Sequence, residues 1–450
     1  MAKLTFYGGV KEIGGNKILL EDRGTRLFLD FGMSFCAMRE YFAGYLTPRS
    51  VNGIGDYLEF DILPRIEGLY KADRLKSCDI KQCKANVDAV LISHPHVDHI
   101  GCLSFLDENI PVYCGEIAKL IIDAVEDSTA GDNFGSHVYK TFHTGDTLTI
   151  GPLKIEPIHV DHSIPGAYGY IIHTSEGPVV YTGDLRMHGT RSDMTEDFIK
   201  AAKKAKPRIL ITEGTRVMPH DKRKNFTEKG VRDEIDRIIS GTDKIVLATF
   251  YGRDLDRFRN FYEAAKAHKR KFVISMRLAY LLYKVRQDKK FPIPDVLNDE
   301  VILVYKRRKK SGEYTEKDYQ KWERLFLDKA VDYKYVSKHQ SEVIFNLDLF
   351  NFQELIDVRP ERGSPFIHSM SEPFSEEDIN DELMHTWLDH FKLELHQVHA
   401  SGHCAGEEIK DLVSRINPEI LIPIHTEYPE MLKGIVKDTL IVEKNKEYAV

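Results

Sequence analysis

No run of about 18 apolar residues occurs in the chain, so nothing in it reads as a membrane-spanning helix. There is no CxxC pair either: Cys36, Cys78, Cys83, Cys102, Cys114 and Cys404 are scattered, which fits free or buried thiols in a reducing compartment. The opening residues, "KLTFYGG", lack the charged and then apolar pattern of a signal peptide, and a cytoplasmic location is the expectation. Excess positive charge is absent too. With 63 Lys and Arg against 70 Asp and Glu, the formal net charge is −7. The protein as a whole is therefore no cationic wrapper of nucleic acid, and any such site must be a local basic surface or a metal-lined slot. Neither internal repeats nor low-complexity tracts are present. Gly8-Gly9 and Gly14-Gly15 do not form a GxGxxG turn after a strand, which removes dinucleotide binding.

What is present is a soluble, globular balance: 42% apolar and 30% charged residues over 450 positions, a length that suggests roughly two or three domains. The first 200 or so residues read as short strands, rich in Val, Ile, Leu, Tyr and Phe and bounded by Gly, Asp or Asn: "NKILLED", "TRLFLDFG", "VDAVLISH", "LKIEPIHVDH", "AYGYIIHT", "GPVVYTGD". A helical pattern, "GEIAKLIIDAVED", lies between some of them. From Lys206 strands alternate with longer charged helices, as in "DKIVLATF" followed by "DLDRFRNFYEAAKAHK", which predicts a parallel, doubly wound sheet. Near Glu376 the first texture returns, with "LELHQVHASGH" and "PEILIPIH" ending in histidines. The simplest organisation is a first domain built from residues 1–205 and 376–450, with residues 206–375 inserted as a second.

The chemistry concentrates in His94-Pro95-His96-Val97-Asp98-His99, directly after the apolar run "VDAVLIS". Three imidazoles and a carboxylate within six residues at a strand end form a donor set suited to zinc, manganese or iron. His162, Asp184 and His425 each follow a strand as well. The carboxyl ends of strands share an edge in open α/β sheets, so groups far apart in sequence can converge there. Arg253 and Arg257, one helical turn apart after a strand, are candidates to clamp a backbone phosphate, with a salt-bridge role equally open. Ser401 and Gly402, beside His403, could cradle a phosphate with backbone N–H groups, the alternative being a plain turn.

The pattern closely resembles the metallo-β-lactamase superfamily: Asp30 in "LFLDFG", HxHxDH at 94–99, a later His162 and a later Asp184. That resemblance implies a four-layer αβ/βα sandwich. It implies that His94, His96 and His162 hold one metal and Asp98, His99 and His425 a second, with Asp184 bridging and Asp30 orienting ligands from behind. Glu213 in "ILITEGT", His403 in "HASGH" and His425 in "IPIHTE" are similar to motifs A, B and C of the β-CASP nucleases, which carry a domain inserted in that fold. "GGVKEIGGNKILLE" and "VDHSIPGAYGY" resemble ribonuclease J in particular, and the compact length resembles its archaeal members. Two stretches depart from the pattern. Phe250-Tyr251-Gly252-Arg253 with Arg257 stands where the family has a Ser-Asn and Arg motif, and "HSMSEPFSEED" stands where it has a Ser-Pro-Gly-rich one.

The implied activity is hydrolysis of RNA phosphodiesters: a 5′→3′ exonuclease on 5′-monophosphate RNA, with endonuclease activity allowed for. Histidine at motif C goes with the RNA-acting members. The alternatives are a DNA nuclease of the same fold, a hydrolase of small esters, thioesters or lactams, and an inactive RNA-binding scaffold. Two divalent ions are implied, zinc first and manganese second. The implied partner is single-stranded RNA, with no membrane and with a homodimer allowed for. Asp98 and His403 are the implied proton-handling residues, and Glu213 would orient His403.

Overall fold

The computed structural model describes the chain apart from residues 43, 130–132, 220–225 and 372–378. Three seven-stranded sheets carry the architecture. The first runs, edge to edge, Glu447–Ala449, Lys3–Gly8, Lys17–Asp22, Thr25–Leu29, Ala89–Leu91, Val112–Gly115 and Tyr139–Phe142. The second runs Asp438–Thr439, Ile420–Pro423, Ile209–Thr212, Gly177–Tyr181, Tyr168–Thr174, Leu153–His159 and Leu148–Ile150.

The period-two alternation of a strand decides how these sheets stack. In the first sheet Leu27, Leu29, Ala89 and Leu91 face inward, onto Tyr170, Ile172, Ile209 and Ile211 of the second. Phe28, Val90 and Ile92 face the other way, onto the helix Glu116–Ser128. On the second sheet Ile171, Leu210 and Leu421 face outward, onto the helices Ser192–Ala205 and Gly406–Ile416. Helix, sheet, sheet and helix make the four-layer αβ/βα sandwich of the metallo-β-lactamase type.

The third sheet runs Ala330–Val331, Ile302–Tyr305, Lys271–Ser275, Val343–Asn346, Val246–Phe250, Pro365–Ser369 and Glu394–Gln397, and every pairing in it is parallel. Its central strands are apolar on both faces, as a sheet covered twice requires. Ala248, Phe272, Ile274 and Ile344 meet the helices Glu228–Ser240, Leu255–Ala267 and Met276–Val285. Leu247, Val273, Phe345 and Phe366 meet the helix Ile379–Phe391 among others. This is the doubly wound arrangement. Tyr280 donates to Asp127 at 2.7 Å and Lys284 pairs with it at 2.8 Å, tying this layer to the helix Glu116–Ser128.

Two strands fall on the other side of the boundaries expected at 206 and 375. Ile209–Thr212 pairs in parallel with Gly177–Tyr181 and with Ile420–Pro423, so it belongs to the second sheet. Glu394–Gln397 pairs with Pro365–Ser369 and belongs to the third, so the strand leading to His403 does not return to the first two sheets. Strand texture alone could not separate these cases: Ile209–Thr212 is an apolar run that fits any buried parallel sheet, and Glu394–Gln397 is a short, partly exposed edge strand with no distinguishing pattern.

Candidate metal centre

Asp30, Ser93 to His99, His162, Asp184, Glu213 and His425 all follow strands of the first two sheets, at one edge of the sandwich. Two groups of donor atoms form there, each with its atoms within 4.8 Å of one another: His94, His96, His162 and Asp184, and then Asp98, His99, Asp184 and His425. Asp184 is common to both, and also to a third group with Glu213 and His403.

The donor set fits a divalent ion. His96 Nδ1 lies 2.9 Å from His94 Nε2 and 3.2 Å from His162 Nε2, so three ring nitrogens converge on one point. His99 Nε2 and both Asp184 oxygens are buried and make no hydrogen bond, although His99 Nε2 is 3.1 Å from Asp184 Oδ2. Buried polar atoms left without partners call for a ligand. Burial holds the His94 and His162 rings well below the usual imidazole range and takes His96 down to about 3. All three are therefore neutral at pH 7 with lone pairs to offer. In the other group burial is overridden by charge. Asp184 and Asp98 raise His425 to about 9, and Asp184, Asp98 and Asp30 raise His99. Opposite charge lowers Asp98 and Asp184 in turn.

The ligands are held from behind. Asp30 Oδ2 accepts from His99 Nδ1 at 2.7 Å, Ser93 Oγ at 2.7 Å and Tyr181 Oη at 2.6 Å, while Oδ1 accepts from Ser93 N at 2.7 Å. His425 Nδ1 is 2.8 Å from Thr215 Oγ1. His162 Nδ1 meets the Gly402 carbonyl at 2.5 Å. Each contact turns the ring's other nitrogen toward the centre. Asp30 and His425 both sit in the left-handed region, at φ 58° and 51°. That is a strained place for side chains with a Cβ, and one often found at functional sites. His425 is kept there by its N–H on Gly9 O at 2.7 Å. A side chain at Gly14, itself at φ +81°, would meet Asp98 Oδ2 at 2.8 Å.

His403 lies beside the centre. Its Nδ1 donates to Glu213 at 2.9 Å, and its ring centroid is 5.1 Å from that of His162 and 5.8 Å from that of His425. Burial lowers its pKa, but Glu213 and Asp184 raise it overall. Glu213 Oε1 also takes the Leu185 N–H at 2.9 Å and Oε2 the Thr215 N–H at 3.2 Å.

The phosphate candidates separate. Arg253 stays at the rim, its Nη1 on Pro95 O at 3.2 Å, and the neighbouring Tyr251 ring is 5.5 Å from His96. Arg257 is buried and cannot clamp a substrate phosphate. Its guanidinium is spent on Ser369 O at 3.0 Å, Glu228 Oε1 at 2.9 Å and Ala400 O at 3.3 Å. The amphipathic helix Leu255–Ala267 turns that side chain into the protein on its buried face, which spacing along the chain does not reveal. In the 401–403 turn, Ser401 Oγ accepts the His403 N–H at 3.1 Å and the Gly402 carbonyl serves His162, so these groups brace side chains. A Cβ at Gly402 would meet Ser163 Oγ at 2.6 Å, which is why only glycine fits. Residues 372–378, most of "HSMSEPFSEED", lie outside the described residues.

Sequence reasoning missed Ser93, Tyr181 and Thr215. Ser93 and Thr215 flank or nearly adjoin recognised motif residues, which was the one available signal; Tyr181 had none. In the basic stretch Lys306–Lys310, Arg308 pairs with Asp357 and Lys309 with Glu323.

Comparison with known proteins agrees with this geometry. Residues 70–228 match the model of the β-lactamase superfamily domain, and residues 390–433 match that of the Zn-dependent metallo-hydrolase RNA specificity domain. The chain is thus similar in these two stretches to Zn-dependent metallo-hydrolases of the β-lactamase superfamily, and over most of its length to ribonuclease J proteins. Ribonuclease J 2 of Streptococcus pyogenes serotype M3 is 23% identical, covering 95% of this chain and 70% of that protein. Ribonuclease J of Mycoplasma pneumoniae is 23% identical, with 97% and 70% covered, and that of Helicobacter pylori strain J99 is 20% identical, with 95% and 56% covered. The chain spans 56% to 70% of the length of these three relatives. A crystal structure of a protein of unknown function from Enterococcus faecalis V583 has the same fold, with TM-score 0.78, 20% identity and all of both chains covered. Among the described residues, no helix is long and apolar enough to cross a membrane.

Proposed function

We propose that the protein is a metal-dependent ribonuclease that hydrolyses RNA phosphodiesters, acting 5′→3′ from a 5′-monophosphate end and admitting internal cuts. The observation that carries this is the pair of imidazole–carboxylate groups sharing Asp184, with His403 braced by Glu213 at their side. The kinship with ribonuclease J supports RNA as the substrate, and histidine at 425 agrees with it. In this reading His94, His96 and His162 hold one divalent ion, Asp98, His99 and His425 hold a second, and Asp184 joins them. Zinc is the first choice, given an all imidazole and carboxylate set, and manganese the second.

Bound ions would supply Lewis acidity at the scissile phosphate and an acidified water. The chain's own groups do the rest. Asp98, with an oxygen 3.1 Å from His425 Nε2, is placed to take the proton of the attacking water. His403, whose pKa is raised, is placed to donate to a phosphate oxygen or to the leaving oxygen. Glu213 fixes the tautomer that presents His403 Nε2. The third sheet with its helices forms the inserted unit of this proposal, residues 213–398, and Tyr251 and Arg253 bring it against the metal edge. A cavity of about 580 Å³, lined by Tyr251, Arg253, Arg277, Asn346 and His368, opens at the carboxyl ends of the third sheet's strands, and in this reading it receives a single RNA strand. Six free cysteines suit a reducing compartment, and the cytoplasm is the proposed location.

Labelled RNAs bearing a 5′-monophosphate, a 5′-triphosphate or a 5′ hairpin, sized at short times, test the reading. Mononucleotides from the monophosphate RNA alone are expected. Internal fragments without dependence on the 5′ end would overturn the exonuclease claim, and cleavage of single-stranded DNA at an equal rate would overturn the preference for RNA.

A further inference from the structure

Behind the centre lies a buried charge cluster that no step above uses. Arg186 is fully buried, two residues after Asp184. Its guanidinium reaches three carboxylates in three directions: Nε to Asp161 Oδ1 at 3.1 Å, Nη1 to Glu228 Oε1 at 2.8 Å and Nη2 to Asp256 Oδ2 at 2.7 Å. Nη1 also approaches Ser401 O at 3.4 Å. Its backbone N–H donates to Asp161 O at 2.8 Å, and its carbonyl accepts from Thr195 Oγ1 at 2.9 Å. Thr195 Oγ1 in turn accepts the Asp161 N–H at 3.0 Å. A Cβ at Gly189 would fall 2.2 Å from Asp161 Oδ2 and 2.3 Å from Arg186 Nε, so the chain leaves room for this pair.

The partners of Arg186 lead to the centre on one side and to the third layer on the other. Asp161 directly precedes His162. Ser401 precedes Gly402, whose carbonyl orients His162, and His403. Glu228 opens the helix Glu228–Ser240 and Asp256 lies in the first turn of Leu255–Ala267. Glu228 Oε1 is shared with Arg257 Nη2 at 2.9 Å, and Arg257 holds Ala400 O at 3.3 Å, closing the circuit. Guanidinium geometry suits this task. Five N–H donors in a rigid plane can hold three carboxylates and a carbonyl at fixed angles, whereas an ammonium is a point charge on a flexible stem.

We infer that Arg186 is a positioning residue of the metal centre: it locks the loops bearing His162 and His403 to the helices under the third sheet, so that ion binding at His94, His96 and His162 depends on the docking of those helices. Only the activity part of its test rests on the ribonuclease reading.

Three proteins decide it: the wild type, Arg186→Lys and Asp256→Asn. The affinity for zinc is read by competition with a chelator, the ligand field by the visible spectrum of the Co(II) form, and kcat and KM on 5′-monophosphate RNA. Loss of a group that orients a ligand weakens metal binding by about 10- to 100-fold. Arg186→Lys is expected to weaken one ion by that factor, alter the Co(II) spectrum and lower kcat with KM unchanged. Asp256→Asn, which removes a charge from the far side of the cluster, is expected to shift all three the same way by a smaller factor. Lowered thermal stability with wild-type zinc affinity and spectrum in the folded protein would overturn the inference. If Arg186→Lys does not fold, Asp256→Asn decides alone by the same criterion. A wild type that binds metal and leaves RNA intact would refute the ribonuclease reading, while affinity and spectrum still judge Arg186.

Discussion

Replacing Glu213 with Gln keeps the side chain's shape and removes its charge. The carboxylate is 1% exposed and takes three donors: His403 Nδ1–H at 2.9 Å, Leu185 N–H at 2.9 Å and Thr215 N–H at 3.2 Å. Glutamine offers one oxygen and one NH2, so an N–H must face another donor. A buried donor left unpaired costs about 1–3 kcal/mol, and a hydrogen bond to a charged group contributes about 1.5–3 kcal/mol. If half or more of that orients His403 in the transition state, kcat falls by roughly ten- to a hundredfold. The Glu213 charge also raises the His403 pKa, so the variant should hold His403 protonated over a lower pH range. The assay is single-turnover cleavage of 5′-labelled single-stranded RNA at saturating metal, with metal content measured beside it. A variant with full metal content and the wild-type rate would refute the assignment of Glu213 as the brace of His403.

The purified protein should carry close to two divalent ions per chain, and His96→Ala close to one, as read by elemental analysis; equal metal in both would exclude His96 as a ligand. Arg257→Ala should unfold the protein or destabilise it by about 3–5 kcal/mol, because Glu228 loses a buried partner, whereas Arg253→Ala should leave the melting temperature within a degree or two and raise KM for RNA; the opposite pattern in urea melts and kinetics would reverse their roles. Burial, with His143 and Arg191 nearby, lowers the His159 pKa to about 4. Folding therefore favours its neutral ring, so this contribution to stability is present above pH 6.5 and is lost as pH falls through about 4. His159→Gln should flatten the loss of stability between pH 6.5 and 4 in urea titrations; an unchanged slope would show that the ring titrates freely.

Much of the centre was legible because local chemistry carried it. Ser93 to His99 packs three imidazoles and an acid at the end of a buried strand, and a sheet forces strand ends to a common edge. His162, Asp184 and His425 could be placed beside it for that reason, whereas Asp30 was suggested by the family resemblance. The parallel third sheet was equally legible, since apolar strands alternating with amphipathic helices admit few other arrangements.

What only the tertiary structure decided concerns groups whose role depends on who faces them. Ile209–Thr212 fell on the other side because a fully buried strand looks alike in any sheet, and Glu394–Gln397 because a short polar edge strand carries little pattern of its own; partner choice is made by the layers around them. Arg253 and Arg257 are the same residue type four positions apart, yet one precedes the helix and stands at the rim while the other is buried among Glu228, Ser369 and Ala400. Gly402 reads as a phosphate cradle in one dimension and becomes the acceptor of His162 Nδ1 in three, across a separation of 240 residues. A hydrogen bond of 2.5 Å depends on distance and angle, which are set when the layers pack, and no residue type or spacing along the chain encodes them locally.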